Sequence, residues 1–119
     1  MLTLKKNFDF QKIFKKGKWY GGNLLNVYVI KNYKESNYIG VAVGKKVSKS
    51  SVKRNRIRRL IKESYRLNEY RIINGLNIVI VWKTDKAFEL ANFHDIQKDL
   101  LYCFKNANIL KNIEEDENV

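Results

Sequence analysis

Proline is absent from the 119 residues, and no Gly/Ser-rich stretch interrupts them, so no linker divides the chain. That length suits one compact domain and is too short for two ordinary ones. A single cysteine, Cys103, excludes an internal disulfide, and no cluster of Cys and His has zinc spacing. Flanked by Leu100, Leu101 and Phe104, Cys103 reads as a buried thiol rather than a reactive one. The single histidine, His94, precedes Asp95 near the start of a helical pattern, where a surface or capping role suits it better than catalysis. Long apolar runs are missing too. Leu24 to Ile30 and Leu76 to Trp82 are of strand length, far short of the ~20 residues that span a bilayer. The opening Met1-Leu2-Thr3-Leu4-Lys5-Lys6 lacks the apolar stretch of a signal peptide, and a reducing, cytoplasmic setting is the default expectation.

Acidic residues are few: 12 Asp and Glu stand against 24 Lys and Arg, for a formal net charge of +12. Such a field destabilises a compact state by self-repulsion, so a polyanionic partner is the natural reason for it, nucleic acid before membrane. A disordered basic tail is excluded by the 6 Phe, 7 Tyr and 2 Trp, which can build a core.

Along the chain, Asn7 precedes a short helical pattern carrying Phe10, Ile13 and Phe14, and Gly17 sits where a C-terminal cap would, giving a first helix over 8–16. Residues 24–31 alternate, with Leu25, Val27 and Val29 on one face and Leu24, Tyr28 and Ile30 on the other. After a polar break, Asn32 to Asn37, residues 38–45 alternate again. Ile39, Val41 and Val43 make one face; Gly40, Ala42 and Gly44 leave the other nearly bare, which lets a helix or a ligand approach closely. The two strands are expected to pair antiparallel. With Ser50 or Ser51 as N-cap, Val52, Ile57, Leu60, Ile61, Ser64 and Tyr65 predict a second helix over 52–68. Asn77 to Trp82 reads as a buried strand. Asn92 with Asp95 resembles a capping box opening a third helix, with Phe93, Ile96, Leu100, Leu101 and Phe104 as its apolar face. The order helix, strand, strand, helix, strand, helix is an α+β pattern. The predicted domain covers 1–111, followed by an acidic, disordered tail over 112–119.

Between Lys45 and Arg66 there are ten basic residues (Lys45, Lys46, Lys49, Lys53, Arg54, Arg56, Arg58, Arg59, Lys62, Arg66) and one acid, Glu63. The like-charged pairs Arg54/Arg58, Arg58/Lys62 and Lys62/Arg66 each cost a few tenths of a kcal/mol by the ~0.2–0.5 kcal/mol rule for such spacings, so a bound polyanion is the expected offset. Arginine forks onto phosphate oxygens and stacks on bases, while Lys45, Lys46 and Lys49 bring charge to the helix N-terminus, where free N–H groups already favour phosphate. Asn55 among these cations is either a cap or tether to neighbouring backbone, or a base or phosphate contact.

A second basic patch, Lys5, Lys6, Lys12, Lys15, Lys16 and Lys18, surrounds the first helix. Phe10 and Phe14, one turn apart there, either pack in the core or stack on single-stranded bases while lysines neutralise phosphates; Tyr28 poses the same choice. Asp9, Asp85, Asp95 and Asp99 show no metal-gathering spacing, and no nucleophile has its base. Neither a catalytic residue nor a metal ligand is assigned, so any chemistry belongs to a partner.

Lys45-Lys46-Val47, a short link, and then Arg54-Asn55-Arg56-Ile57-Arg58-Arg59-Leu60-Ile61-Lys62-Glu63 closely resemble the signature of the bacterial ribonuclease P protein subunit family. Leu4-Lys5-Lys6-Asn7-Phe8-Asp9-Phe10-Gln11-Lys12-Ile13-Phe14-Lys15-Lys16-Gly17 looks like that family's opening helix, and Gly40-Val41-Ala42-Val43-Gly44 fits as well. The match runs over about 2–105 in the family's element order. Ser48 stands where the family often has Gly, and the link Lys49-Ser50-Ser51-Val52-Lys53 is one residue longer than the commonest form.

The resemblance implies an RNA-binding protein subunit that assists a catalytic RNA in removing the 5′ leader from precursor tRNA. It implies a small α+β domain of the ribosomal protein S5 domain 2-like kind, with a four-stranded or near four-stranded sheet, three helices and a left-handed βαβ crossover. By position, Lys45, Lys46, Lys49, Lys53, Arg54, Asn55, Arg56, Arg58, Arg59, Lys62 and Arg66 would face RNA. Phe10, Lys12, Phe14, Lys15 and Tyr28 would line a leader cleft, with Gly40 and Ala42 keeping its floor open. The implied partners are the RNA subunit and the precursor tRNA leader, with a monomer in a 1:1 complex and no membrane. No cofactor is expected on the protein alone; magnesium serves the holoenzyme. A general RNA-binding or ribosome-associated domain is the alternative, and a nuclease acting alone finds no residues to support it.

Overall fold

The computed structural model describes residues 1–4 and 7–111, for residues 7 and 8 the backbone alone. Lys5, Lys6 and the acidic end 112–119 lie outside the described residues. The elements run β1 (Leu2–Thr3), α1 (Asn7–Lys16), β2 (Lys18–Gly21), β3 (Leu25–Lys31), β4 (Tyr38–Ala42), α2 (Ser51–Asn68), β5 (Leu76–Trp82) and α3 (Phe93–Asn106), with single 3-10 turns at Glu69–Arg71 and Phe88–Leu90. The strands form one mixed sheet in the order β1-β4-β5-β3-β2.

The three helices and their caps follow the residue pattern. Ser50 caps α2 by accepting from the Lys53 N–H at 3.3 Å, and Asn92 caps α3 by accepting from the Asp95 N–H at 2.9 Å. The sheet departs from expectation. It has five strands rather than four, because Lys18–Gly21 and the two-residue Leu2–Thr3 each add one. Strand β4 also ends at Ala42 rather than Lys45.

Nor do β3 and β4 pair with each other. β5 lies between them, antiparallel to β3 and parallel to β4. The run Leu76–Trp82 is apolar on both faces, and such a strand belongs in the sheet's interior. Polar residues of the 32–37 link fasten to its start: Asn37 Oδ1 accepts from the Leu76 N–H at 2.8 Å, and Asn32 Nδ2 donates to Asn77 Oδ1 at 3.0 Å. The link thus crosses the end of β5 and delivers β4 to the far side. α2 then carries the chain from β4 to the parallel β5, a βαβ crossover.

Alternation along the strands gives each face its own helices. Leu25, Val27, Ile39, Leu76, Ile78, Ile80 and Trp82 are buried under Ile57, Ile61 and Tyr65 of α2 and Ile96, Leu100, Cys103 and Phe104 of α3. The Tyr65 and Phe104 rings meet edge to face at 6.3 Å. α1 lies on the opposite face, where Ile13 and Val79 are both fully covered. Gly40 is bare because of that helix: a Cβ there would run into the Phe10 ring. Its missing side chain therefore makes room for α1 and does not open a cleft floor.

Candidate nucleic-acid interface

On α2, Ile57, Ile61, Ser64, Tyr65 and Asn68 recur at three- and four-residue spacing and face the core, which turns the remaining positions outward. Arg56, Arg59 and Lys62 are exposed, and among the described residues no carboxylate pairs with them. The helix's one ion pair there is Arg66 to Glu63, 2.5 Å apart, both side chains about half exposed at 56% and 48%. The hydrogen bond from Arg66 holds the Glu63 carboxyl below its ordinary value, and Glu63 in turn raises Arg66. Arg56, Arg59, Lys62 and Arg66 line one shallow groove along the helix, with Met1 at its edge.

Two arginines are fixed by the loop that precedes the helix. Arg54 Nη1 donates to the Ser48 carbonyl at 2.9 Å. Arg58 Nη1 donates to Asn55 Oδ1 at 2.6 Å, and its Nη2 reaches the Val43 carbonyl at 3.4 Å. Asn55 is thus a tether for the Arg58 guanidinium, not for backbone. Lys45, Lys46 and Lys49 are exposed on the same loop. Lys53 stands apart: its ammonium lies 5.3 Å over the Phe88 ring.

The α1 face of the sheet carries the second group. Strand register lines up Gly40, Val79, Tyr28 and Trp19 in one cross-strand row. Above this row, Phe10 and Phe14 meet edge to face at 6.4 Å, and Phe14 meets Tyr28 at 4.9 Å. Phe10 is half-buried over Gly40, while Phe14 is exposed. The next row, Ala42, Val81, Asn26 and Gly21, is only half-buried; the Trp19 ring lies over its Gly21 end, and Ala42 and Val81 form an open floor beside the rings. Phe10, Phe14 and Tyr28 therefore come together. Lys12 and Lys15 are exposed with Gln11 and Lys16 on the outer side of α1, flanking Phe14 rather than lying over the sheet.

Val43, whose carbonyl Arg58 reaches, directly follows Ala42 of the open floor. The fixed end of the cationic surface and the aromatic face thus share one strand end. The groups gathered there are guanidinium, ammonium, amide and ring, which hold phosphates and unpaired bases.

Sequence reasoning missed Trp19. It is 59% exposed at the outer strand, and its indole N–H donates to Asn26 Oδ1 at 3.0 Å. The available signal was the Gly21-Gly22 pair, which marks a hairpin turn and makes Lys18-Trp19-Tyr20 a strand. Asp99 was passed over as well. Its buried carboxylate accepts from the N–H groups of Asn23, Leu24 and Leu25 at 2.6, 3.0 and 2.9 Å, fastening the β2–β3 turn to α3. His94 is exposed in the first turn of α3. Cys103 is buried, and that burial pushes its thiol up to about 12.

The sequence profile of the family described as Ribonuclease P matches residues 1–108. A ribonuclease P protein component from Clostridium kluyveri is 42% identical over 110 residues, covering 91% of this chain and 96% of that protein. Among solved structures, the RNase P protein of Staphylococcus aureus superposes with a TM-score of 0.81 at 28% identity, covering 93% of this chain and 99% of that one. The RNase P protein of Thermotoga maritima gives 0.78 at 28% identity, covering 89% and 97%.

Proposed function

This chain belongs to the ribonuclease P protein component family, and from that premise we propose how its two surfaces divide the work. It is the RNA-binding protein subunit of a ribonucleoprotein endoribonuclease whose RNA is catalytic and which matures tRNA at its 5′ end. Its partners are the ribonuclease P RNA and the precursor tRNA.

In our reading the α2 surface docks folded RNA. Arg56, Arg59 and Lys62 neutralise phosphates, with Lys45, Lys46, Lys49 and Arg66 extending the contact and Arg54 and Arg58 held ready by the loop. Phe10, Phe14 and Tyr28 hold the unpaired leader of the substrate, with Lys12 and Lys15 supplying charge along the helix. The observation that carries this division is the shared strand end: Arg58 reaches Val43, and Val43 follows the open floor at Ala42. One RNA surface can thus run from a base-paired region onto a single strand without a gap.

The protein's contribution is binding and orientation. In this reading magnesium serves the RNA of the holoenzyme, which carries the chemistry. Neutralising crowded phosphates also lowers the magnesium the RNA needs to fold and react. A 1:1 complex with one copy of the protein and a cytoplasmic setting belong to the same proposal; no helix of the described residues is long and apolar enough to cross a membrane.

The test is reconstitution. The protein alone should leave precursor tRNA intact, while adding it to a bacterial ribonuclease P RNA should raise cleavage at low magnesium. No stimulation there would overturn the reading. Equal affinity of the holoenzyme for precursor tRNA with and without a leader would instead favour a general RNA-binding role for the aromatic face.

A further inference from the structure

Trp19 has more exposed area than a strand residue needs, and it is not loose. The side chain stands beside Tyr28 in the cross-strand pair between β2 and β3, on the α1 face of the sheet. Its six-membered ring lies along its own strand over Gly21, where a Cβ would come within 2.6 Å of it. Its indole N–H is held by Asn26 Oδ1 at 3.0 Å. One face of the ring is thus set against backbone and the edge is tethered, leaving the other face to solvent at 59% exposure. A ring so fixed loses little conformational freedom when a flat partner stacks on it. Asn26 spends its oxygen on the indole, and among the described residues nothing accepts from its amide N–H groups.

The surroundings select the partner. Rings at Phe10, Phe14, Tyr28 and Trp19 follow one cross-strand row, which at ~4.8 Å per strand is about 14 Å wide. The floor at Ala42 and Val81 beside them is open, and Lys15 and Lys16 lie exposed on the adjoining helix. An apolar protein segment would leave the Asn26 amide and the lysines without partners. An unpaired nucleotide satisfies the Trp19 ring, the Asn26 amide and the lysines together, since its base stacks, its edge accepts hydrogen bonds and its phosphate is anionic.

We propose that Trp19 and Asn26 form a further base-stacking subsite that carries the single-stranded cleft from Tyr28 onto the outer strand β2, taking one more unpaired nucleotide of the leader. The subsite rests on the reading of Phe10, Phe14 and Tyr28 as a leader cleft, and it makes leader length the quantity that separates the two.

The experiment uses holoenzyme reconstituted with a bacterial ribonuclease P RNA and precursor tRNAs whose leaders lengthen one nucleotide at a time. Trp19→Ala should weaken binding by roughly 5-fold or more for leaders that reach the outer strand, and leave the shortest leaders and leaderless tRNA unchanged. Trp19→Phe, which keeps a ring, should restore most of the loss. In the wild-type holoenzyme, tryptophan emission should be quenched by long-leader substrate and not by leaderless tRNA. The other tryptophan, Trp82, is fully buried with its N–H on the Lys86 carbonyl, and serves as an unresponsive background. If Trp19→Ala binds every leader like wild type and emission does not respond, while Phe14→Ala still loses leader-dependent affinity, the subsite is wrong and the cleft stands. If a leader adds no affinity even to the wild type, both fall.

Discussion

Arg58 and Asn55, one turn apart on α2, are joined by a 2.6 Å hydrogen bond from the guanidinium to the amide oxygen, while the other arm of Arg58 reaches back to the Val43 carbonyl at 3.4 Å. Arg58 is therefore pre-set between the helix and the strand end. A side chain held in this way gives up less rotamer entropy on meeting a phosphate than a free arginine would. The Asn55 amide keeps its own N–H donors available alongside.

Removing either partner should therefore weaken RNA subunit binding in different ways. Arg58→Ala deletes a charge and should flatten the log–log dependence of affinity on salt by about 0.7–0.9. Asn55→Ala keeps the charge but frees it, so affinity falls while the slope stays near wild type. In the double variant the losses should be less than additive. Filter-binding titrations across a salt series check all three.

Gly40→Ala places a Cβ against the Phe10 ring. Moving that ring should cost about 1–3 kcal/mol, as overpacking does elsewhere, and urea denaturation would measure it. Displaced α1 rings should also lower the affinity for leader-bearing substrate. Binding of leaderless tRNA to the holoenzyme should not change.

Asp99 gathers three backbone N–H groups of the β2–β3 turn on one buried carboxylate. Asp99→Ala leaves those donors without an acceptor and should cost about 3 kcal/mol. Asp99→Asn keeps one oxygen acceptor and should cost less. Chemical denaturation distinguishes the pair, and a loosened turn should show as faster amide exchange at Asn23, Leu24 and Leu25.

Base should destabilise the fold through its core. Burial pushes Cys103 from an ordinary 9.0 up to about 12, and Tyr65 from 10.0 up to about 12. Both groups bind their protons more tightly when folded, so this stability is complete below the unfolded values and drains away as pH rises from about 9 towards 12. Melting temperatures across that range should fall, and Cys103→Ala should flatten the fall even though its lost packing lowers stability at neutral pH. Thiol labelling at neutral pH should be slow in native protein and fast in urea.

Much of the binding helix could be read without coordinates. Ser50, the spacing of Ile57, Ile61 and Tyr65, and the run of cations around them set α2 and its charged side, because helix periodicity and capping act within a few residues. The Gly40/Ala42 face was legible as bare, and close approach by a helix was one of its two readings; that Phe10 fills the space at Gly40 required the placement of α1. Asn55 was legible as unusual, but its partner Arg58 became definite only with side-chain directions in hand.

What the amino-acid order determined by itself was the local structure and the sign of the partner. Three helices, the three longer strands, their caps and an excess of positive charge needing a polyanion all follow from neighbours a few residues apart. Tertiary structure decided which distant residues became neighbours. The insertion of β5 between β3 and β4 depends on Asn32 and Asn37 crossing to its start, a competition among strand partners that no local pattern records. That arrangement, with β2 closing the outer edge, sets Trp19 beside Tyr28 and turns scattered aromatic residues into one continuous face.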